Sequence, residues 1–341
     1  MRNAERPKTG SRARPRPPFE IYGKLAAPGK LTQVELRVSR LPTGMWMSVP
    51  VGVLHGSRPG PIIWLSAAIH GDELNGVPVI RHVLDRLDPR KLSGTVLAVP
   101  TVNVFGLIQA SRYLPDRRDL NRCFPGSKRG SSASQLAHLF MTEVVMRCEL
   151  GIDLHTGSGG RTNLPQLRCD LDEPETLRLA REFGAPVLLH SRLRDGSLRA
   201  SARELGKTVL VYEAGEANRF DVEAIDTGVA GVERVLKALG MVDYEVPDPN
   251  EPPLVSRSST WVRARRSGFC EMTMRLGAKV TRGDSIAVIF DALGRARSVV
   301  KARGDGILVG HVTSPLVNRG DAVAHVAEIT TQIDLSDTIS S

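Results

Sequence analysis

Three short segments place side chains that bind metals or move protons at the expected ends of buried strands. His70-Gly71-Asp72-Glu73 closes the apolar run PIIWLSAAIH (61–70). A His and a Glu three apart, turning off a strand end, can both point at one ion. Zinc takes imidazole nitrogen and carboxylate oxygen, and two His, one Glu and a water form a catalytic ligand set. H-x-x-E alone is a common pairing, and the helix-borne H-E-x-x-H pattern is absent. Asp153-Leu154-His155 closes a second such strand. His155 is either the third ligand or a hydrogen-bonded strand-end histidine, and Asp153 is a carboxylate able to orient a liganding imidazole. A third strand end, Val211-Tyr212-Glu213-Ala214-Gly215, carries Glu213 into a glycine turn. A carboxylate there can act as general base on a water, or serve as one half of a structural ion pair. Glu216 is its rival.

Between the first two segments runs a polar stretch of about thirty residues, with Arg112, Arg117, Arg118, Arg122, Asn103 and Asn121. A loop that long inside a compact domain is functional or disordered. The arginine fork suits a carboxylate or a developing oxyanion. Arg117 and Arg118 read as a solvated face. Asp119-Leu120-Asn121-Arg122-Cys123-Phe124 is more specific, because polar residues there alternate with residues of buried type.

These segments need a scaffold, and the apolar pattern supplies one. A β pair is expected at 31–41 and 46–54 around Pro42-Thr43-Gly44, and strands at 61–70, 95–100, 151–158, 185–190 and 208–215. Helices are expected at 75–87, 134–149, 174–183, 197–205 and 221–239. Alternating β and α elements predict an α/β fold, a mixed central sheet flanked by helices. Residues 246–256 (VPDPNEPPLVS) hold four prolines and read as a linker. From 257 to 330 the helical period vanishes. GAKVTRGDSIAVI (277–289) and SPLVNRGDAVAHV (314–326) echo each other, so a small all-β domain with an internal repeat is expected.

Composition narrows the function. The 341 residues carry 46 Lys+Arg against 37 Asp+Glu, for a formal charge of +9. Residues 1–18 hold six Lys/Arg and one Glu and are expected to be a disordered basic tail, as are residues 331–341 a frayed one. A basic arm can touch nucleic acid or anionic lipid, but a solvated tail is the simpler expectation, and 4% aromatic residues argue against base stacking. No apolar run reaches about 18 residues, so no membrane partner is expected. Four scattered Cys without a C-x-x-C pair fit a reducing, cytoplasmic setting.

In order along the chain stand His70-x-x-Glu73, Asn103-x-x-Gly106, Arg112, DLNR (119–122), DLH (153–155) and YEAG (212–215). That ordered set resembles the succinylglutamate desuccinylase/aspartoacylase family of the zinc carboxypeptidase superfamily, over roughly residues 30–240. The resemblance implies a zinc-dependent catalytic domain at 19–245 with one Zn²⁺ per subunit held by His70, Glu73 and His155. It further implies Glu213 as the proton-transferring base and Arg112 as the oxyanion-stabilising cation. Asn121, Arg122 and Arg199 would bind substrate. The implied reaction is hydrolysis of the amide of a small N-acyl amino acid; peptide hydrolysis by a zinc carboxypeptidase, or a catalytically dead fold serving as a binding module, are the alternatives. Arg161, Arg168 and Arg199 would suit a second acid on the substrate. Relative to aspartoacylase two residues are inserted between Arg112 and DLNR, and its C-terminal tyrosine has no counterpart. The β domain at 257–330 resembles a biotinyl/lipoyl-like barrel-sandwich. The turn DALGRARS (291–298) lacks the lysine such carriers modify. Its expected task is to wall the active site or to join copies in a homo-oligomer.

Overall fold

The computed structural model describes residues 16–295 and 297–329. The tails expected over 1–18 and 331–341 therefore lie outside the described residues, except for 16–18. Of these, Arg16 and Pro17 are held against the sheet. Arg16 NH1 donates to the carbonyls of Gly56 and Gly94 at 3.0 and 2.7 Å, and His55 Nε2 lies 2.9 Å from the Pro17 carbonyl.

β1 (Phe19–Ile21) and β2 (Lys24–Ala26) form a small hairpin, and β3 (Lys30–Arg40) with β4 (Trp46–His55) a long one. β5 (Arg58–Ala67), α1 (Gly76–Arg86) and β6 (Ser93–Val99) make a parallel β-α-β unit. The polar stretch holds α2 (Val104–Ile108) and one 3₁₀ turn (Leu120–Arg122), and α3 (Ser132–Glu143) follows. Next come β7 (Leu150–Gly157), β8 (Arg161–Cys169), α4 (Pro174–Phe183), β9 (Val187–His190), α5 (Leu198–Glu204), β10 (Thr208–Glu216) and α6 (Val222–Ala238). The remaining strands are β11 (Leu254–Ser256), β12 (Ser259–Arg263), β13 (Gly268–Met272), β14 (Lys279–Val280) and β15 (Ser285–Phe290). They are followed by β16 (Arg297–Lys301), β17 (Gly306–Val312), β18 (Leu316–Val317) and β19 (Ala322–Ala327).

One thirteen-stranded mixed sheet runs β12-β19-β17-β8-β10-β7-β5-β6-β4-β3, with β9, β11 and β14 paired beside it. Its central strands are buried on both faces, and their side chains alternate between two cores as the period of two requires. Ile63 and Leu65 of β5 join Val79, Val83, Phe183 and Val232 of α1, α4 and α6 on one face. Trp64 between them joins Phe140 and Met141 of α3 on the other. A second sheet, β16-β15-β13-β18, is antiparallel throughout.

Two findings differ from the sequence reading. Residues 161–169 form β8, a strand absent from those expected; polar Arg161, Asn163, Gln166 and Arg168 hide its strand character. The proline-rich segment is not free along its length, because β11 pairs in parallel with β9. The outer edge of β8 is divided: Gln166 to Cys169 pair with β9, and Arg161 to Asn163 with β17. The C-terminal strands thus extend the central sheet directly. The internal echo is visible as β14–β15 and β18–β19, each a two-residue strand, a Gly-Asp turn and a six-residue strand.

Candidate active site

The site lies at the carboxyl ends of β5, β7 and β10, where ligands bind in open α/β sheets. Beyond β5 the chain passes Ala68, whose φ of +48° turns it sharply, and delivers His70 and Glu73. The turn packs closely on α2: a Cβ on Gly71 would sit 1.9 Å from the carbonyl carbon of Gly106. Gly106 in turn has no room for a side chain beside Asn103, which caps α2 by accepting the Gly106 N–H at 2.8 Å. The N-x-x-G spacing therefore seats this loop against the ligand turn.

His70 Nδ1 and His155 Nδ1 each lie 2.7 Å from one oxygen of Glu73. Ligand atoms of His70, Glu73 and His155 fall within 4.8 Å of one another, and all three residues are buried. Burial alone would raise the Glu73 pKa, but the two imidazoles outweigh it and hold the carboxyl well below its usual range. Burial likewise opposes charge on both histidines, yet the facing carboxylates push both pKa values up. A buried carboxylate shared by two imidazoles, with Asp153 and Asp119 adding their own negative charge, suits a central cation, which would take the place of the imidazole protons. One of the outer nitrogens is firmly held. His155 Nε2 meets Asp153 Oδ2 at 2.7 Å, and Ser66 Oγ donates to Asp153 Oδ1 at 2.7 Å. His70 Nε2 is 3.3 Å from Asp119 Oδ1, out of line for a good hydrogen bond. Two nitrogens and a carboxylate with carboxylates behind them fit zinc.

Glu213 stands opposite His155 in the parallel pairing of β10 with β7. A register shift follows at once, and Gly215 adopts a φ of +72°. Asn75 holds this bend: its Nδ2 donates to Ala214 O at 3.2 Å, and its Oδ1 accepts the Asp221 N–H at 3.0 Å. Glu213 Oε2 accepts from Asn163 Nδ2 at 2.9 Å, and Oε1 is 3.7 Å from Arg168 Nε. Glu216 points elsewhere, accepting from Thr313 Oγ1 at 2.6 Å.

A cleft of about 550 Å³ joins His70, Glu73, His155 and Glu213 to Arg112, Asn121, Arg122, Arg168, Arg194 and Arg199. Arg112 donates to Asp119 Oδ2 through NH2 at 2.9 Å and to Glu73 Oε1 through NH1 at 3.3 Å, which aims it at the ligand group. Asn121 accepts the Leu198 N–H at 2.9 Å, and the exposed Arg122 lines the cleft beside it. Arg199 reaches the wall, but NH1 donates to Arg168 O at 2.9 Å and NH2 to Ser191 O and Arg192 O at 2.9 and 2.8 Å. Its guanidinium is occupied in shaping the loop that presents Arg194. Arg117 and Arg118 are exposed, as expected of a solvated face. Trp261, Arg263 and Ala322 of β12 and β19 close one side, and Arg161 lies with its guanidinium carbon 5.7 Å from the Trp261 ring centre. Motif reading did not single out Asn163, Arg194 or Trp261. Their positions depend on strand pairings between distant segments, and no local spacing announces them.

The catalytic-domain model of the succinylglutamate desuccinylase/aspartoacylase family matches residues 59–239. The N-alpha-acetyl-L-2,4-diaminobutyric acid deacetylase of Halomonas elongata is 30% identical over 296 residues, covering 82% of this chain and 86% of its own. The crystal structure of a succinylglutamate desuccinylase/aspartoacylase from Rhodobacter sphaeroides superposes with a TM-score of 0.80 at 27% identity, covering 88% of this chain and 96% of its own. The product-bound ectoine utilization protein of Ruegeria pomeroyi shares the fold, with a TM-score of 0.82 at 23% identity over 92% of this chain and 99% of that one.

Proposed function

The chain belongs to the succinylglutamate desuccinylase/aspartoacylase family and is a hydrolase of amide bonds, and from that premise we propose a zinc-dependent deacylase of small N-acyl amino acids. One observation carries this reading: Glu213 is set in register with His155 and faces the same cleft as the buried His70, Glu73 and His155. His70, Glu73 and His155 would hold the zinc. A zinc ion held there would supply Lewis-acid chemistry, lowering the pKa of a water towards ~7 and polarising the scissile carbonyl. Glu213 takes the proton of the attacking water and delivers it to the leaving amine. Arg112 stabilises the negative charge that develops on the carbonyl oxygen. Arg122, beside Asn121, grips the α-carboxylate, where a planar fork gives two parallel hydrogen bonds. Asp153, tied to Ser66, fixes the His155 ring and its tautomer.

The wall of Trp261, Arg263 and Ala322 favours a small substrate over a peptide. The site retains ligands, base and cations together, which supports an enzyme over a binding module. A hydrolysis screen over N-acyl amino acids and peptides, with zinc quantified in the same preparation, tests both points. Stoichiometric zinc with turnover of an N-acyl amino acid is expected. A protein without zinc, or one that cleaves only peptides, refutes the reading. Glu213→Gln should keep its zinc and lose at least about 100-fold in kcat.

A further inference from the structure

Asn163 lies outside every motif that points to the chemistry, yet it holds the proposed base. It is 4% exposed, and its carboxamide donates to Glu213 Oε2 at 2.9 Å. The strand register continues this contact across the sheet. Gly215 of β10 lies opposite Asn163 of β8, and Asn163 opposite Gly310 of β17. Gly310 lies opposite His325 of β19, and His325 opposite Trp261 of β12. One row thus crosses five strands, from the catalytic strand to the C-terminal edge. Its members are in contact: the Trp261 and His325 rings stack at 4.4 Å and 4°, and a Cβ on Gly310 would stand 2.9 Å from Asn163 Oδ1. The bare backbone at Gly310 is what leaves room for the carboxamide.

We infer that Asn163 is a positioning residue for Glu213, and that β17 holds it in place, so that the C-terminal strands belong to the proton-transfer apparatus. The inference rests on Glu213 being the base. A glutamate side chain freed of its donor can swing toward Arg168, whose Nε lies 3.7 Å from the other oxygen. Full pairing with that cation would favour the ionised form and weaken the base. A neutral amide orients the carboxylate through one donated hydrogen bond and places no net charge beside it. The Asn163 side chain comes from a neighbouring strand, so it fixes direction where the Glu213 backbone alone does not.

The test compares full-length wild type with Asn163→Ala, Asn163→Asp, Glu213→Ala and the Asn163→Ala/Glu213→Ala double variant. The probe is an N-acyl amino acid that the wild type hydrolyses; kcat, KM, zinc content and melting temperature are read together. Asn163→Ala should keep zinc, leave KM within about twofold and lower kcat about 10- to 100-fold. In the Glu213→Ala background the same change should alter kcat less than about twofold, because the group it positions is gone. Asn163→Asp, nearly isosteric, should lower kcat at least as far by facing one carboxylate with another. An equal loss in both backgrounds, or Asn163→Asp turnover within about twofold of wild type beside an inactive Glu213→Ala, overturns the inference alone. Near-normal turnover of Glu213→Ala overturns the base assignment and the inference with it.

Discussion

Glu73 is the side chain on which the candidate site converges. Both of its oxygens are taken by imidazoles, and Arg112 NH1 and the Thr156 N–H approach them at 3.3 Å. A divalent cation held by this carboxylate and the two imidazoles would replace the protons between them. His70→Ala or His155→Ala should therefore lose zinc and activity together, measured by metal analysis and turnover of one preparation. Asp153→Asn should be milder, weakening zinc affinity about 10- to 100-fold in a chelator competition. A second residue-scale expectation concerns His325. Burial, helped by the Arg168 charge, pushes its pKa down to about 3. A histidine kept neutral by the fold and free to charge when unfolded stabilises above its ordinary value near ~6.5, and that contribution drains as pH falls toward 3. His325→Phe keeps the ring against Trp261 but removes the titration. Its melting temperature should fall less than that of wild type when pH drops from about 7 to about 4. An unchanged slope would remove the argument.

At the scale of elements, the functional groups sit where strands stop, and close backbone approaches hold those stops in place. Gly71 against Gly106 is the tightest. A methyl group there meets backbone rather than a yielding side-chain tip, so Gly71→Ala should cost at least the ~3 kcal/mol at the top of the usual overpacking range. Zinc should be lost in parallel, as calorimetry and metal analysis would show. Gly310→Ala is the informative contrast. Its methyl group would meet Asn163 Oδ1 at 2.9 Å and the Thr162 carbonyl oxygen at 3.2 Å, approaches far looser than the 1.9 Å at Gly71, so kcat should fall while the melting temperature drops much less than in Gly71→Ala. This difference also explains what was legible in the sequence. His70 with Glu73, Asp153 with His155, and Glu213 each sit within a few residues of a clear apolar strand, so local spacing exposes them. β8 alternates no simple apolar face. Its Asn163 and Arg168 matter through pairing with β10, some fifty residues later, and β17, nearly one hundred and fifty residues later. Arg199 lines the cleft as its type and approximate place suggested, and its hydrogen bonds to the carbonyls of Arg168, Ser191 and Arg192 and to Ser191 Oγ are ones that no local spacing announces.

For the molecule as a whole, the decisive fact is that the sheet does not end where the α/β pattern does. β17, β19 and β12 continue it beyond β8, and β11 pairs with β9. A chain ending at residue 245 would uncover the backbone of Arg161 to Asn163 and remove Trp261 and Arg263 from the cleft. Such a truncation should lose cooperative thermal unfolding and turnover together, rather than leave a working enzyme with a more open pocket. Circular dichroism and the substrate screen would show it. Among the described residues no helix is long and apolar enough to cross a membrane.

The shared sheet also imposes an order in time. A ribosome makes β8 about one hundred and fifty residues before its partner β17. Until β17 emerges, the outer edge of β8 at Arg161 to Asn163 presents unpaired backbone groups, the kind of edge that recruits other strands. The nascent chain must shelter that edge while the residues between β8 and β17 are made. Glu213 is translated well before β17, the strand that backs its hydrogen-bond partner. The site is thus completed only by strands that arrive later than its ligands and its base.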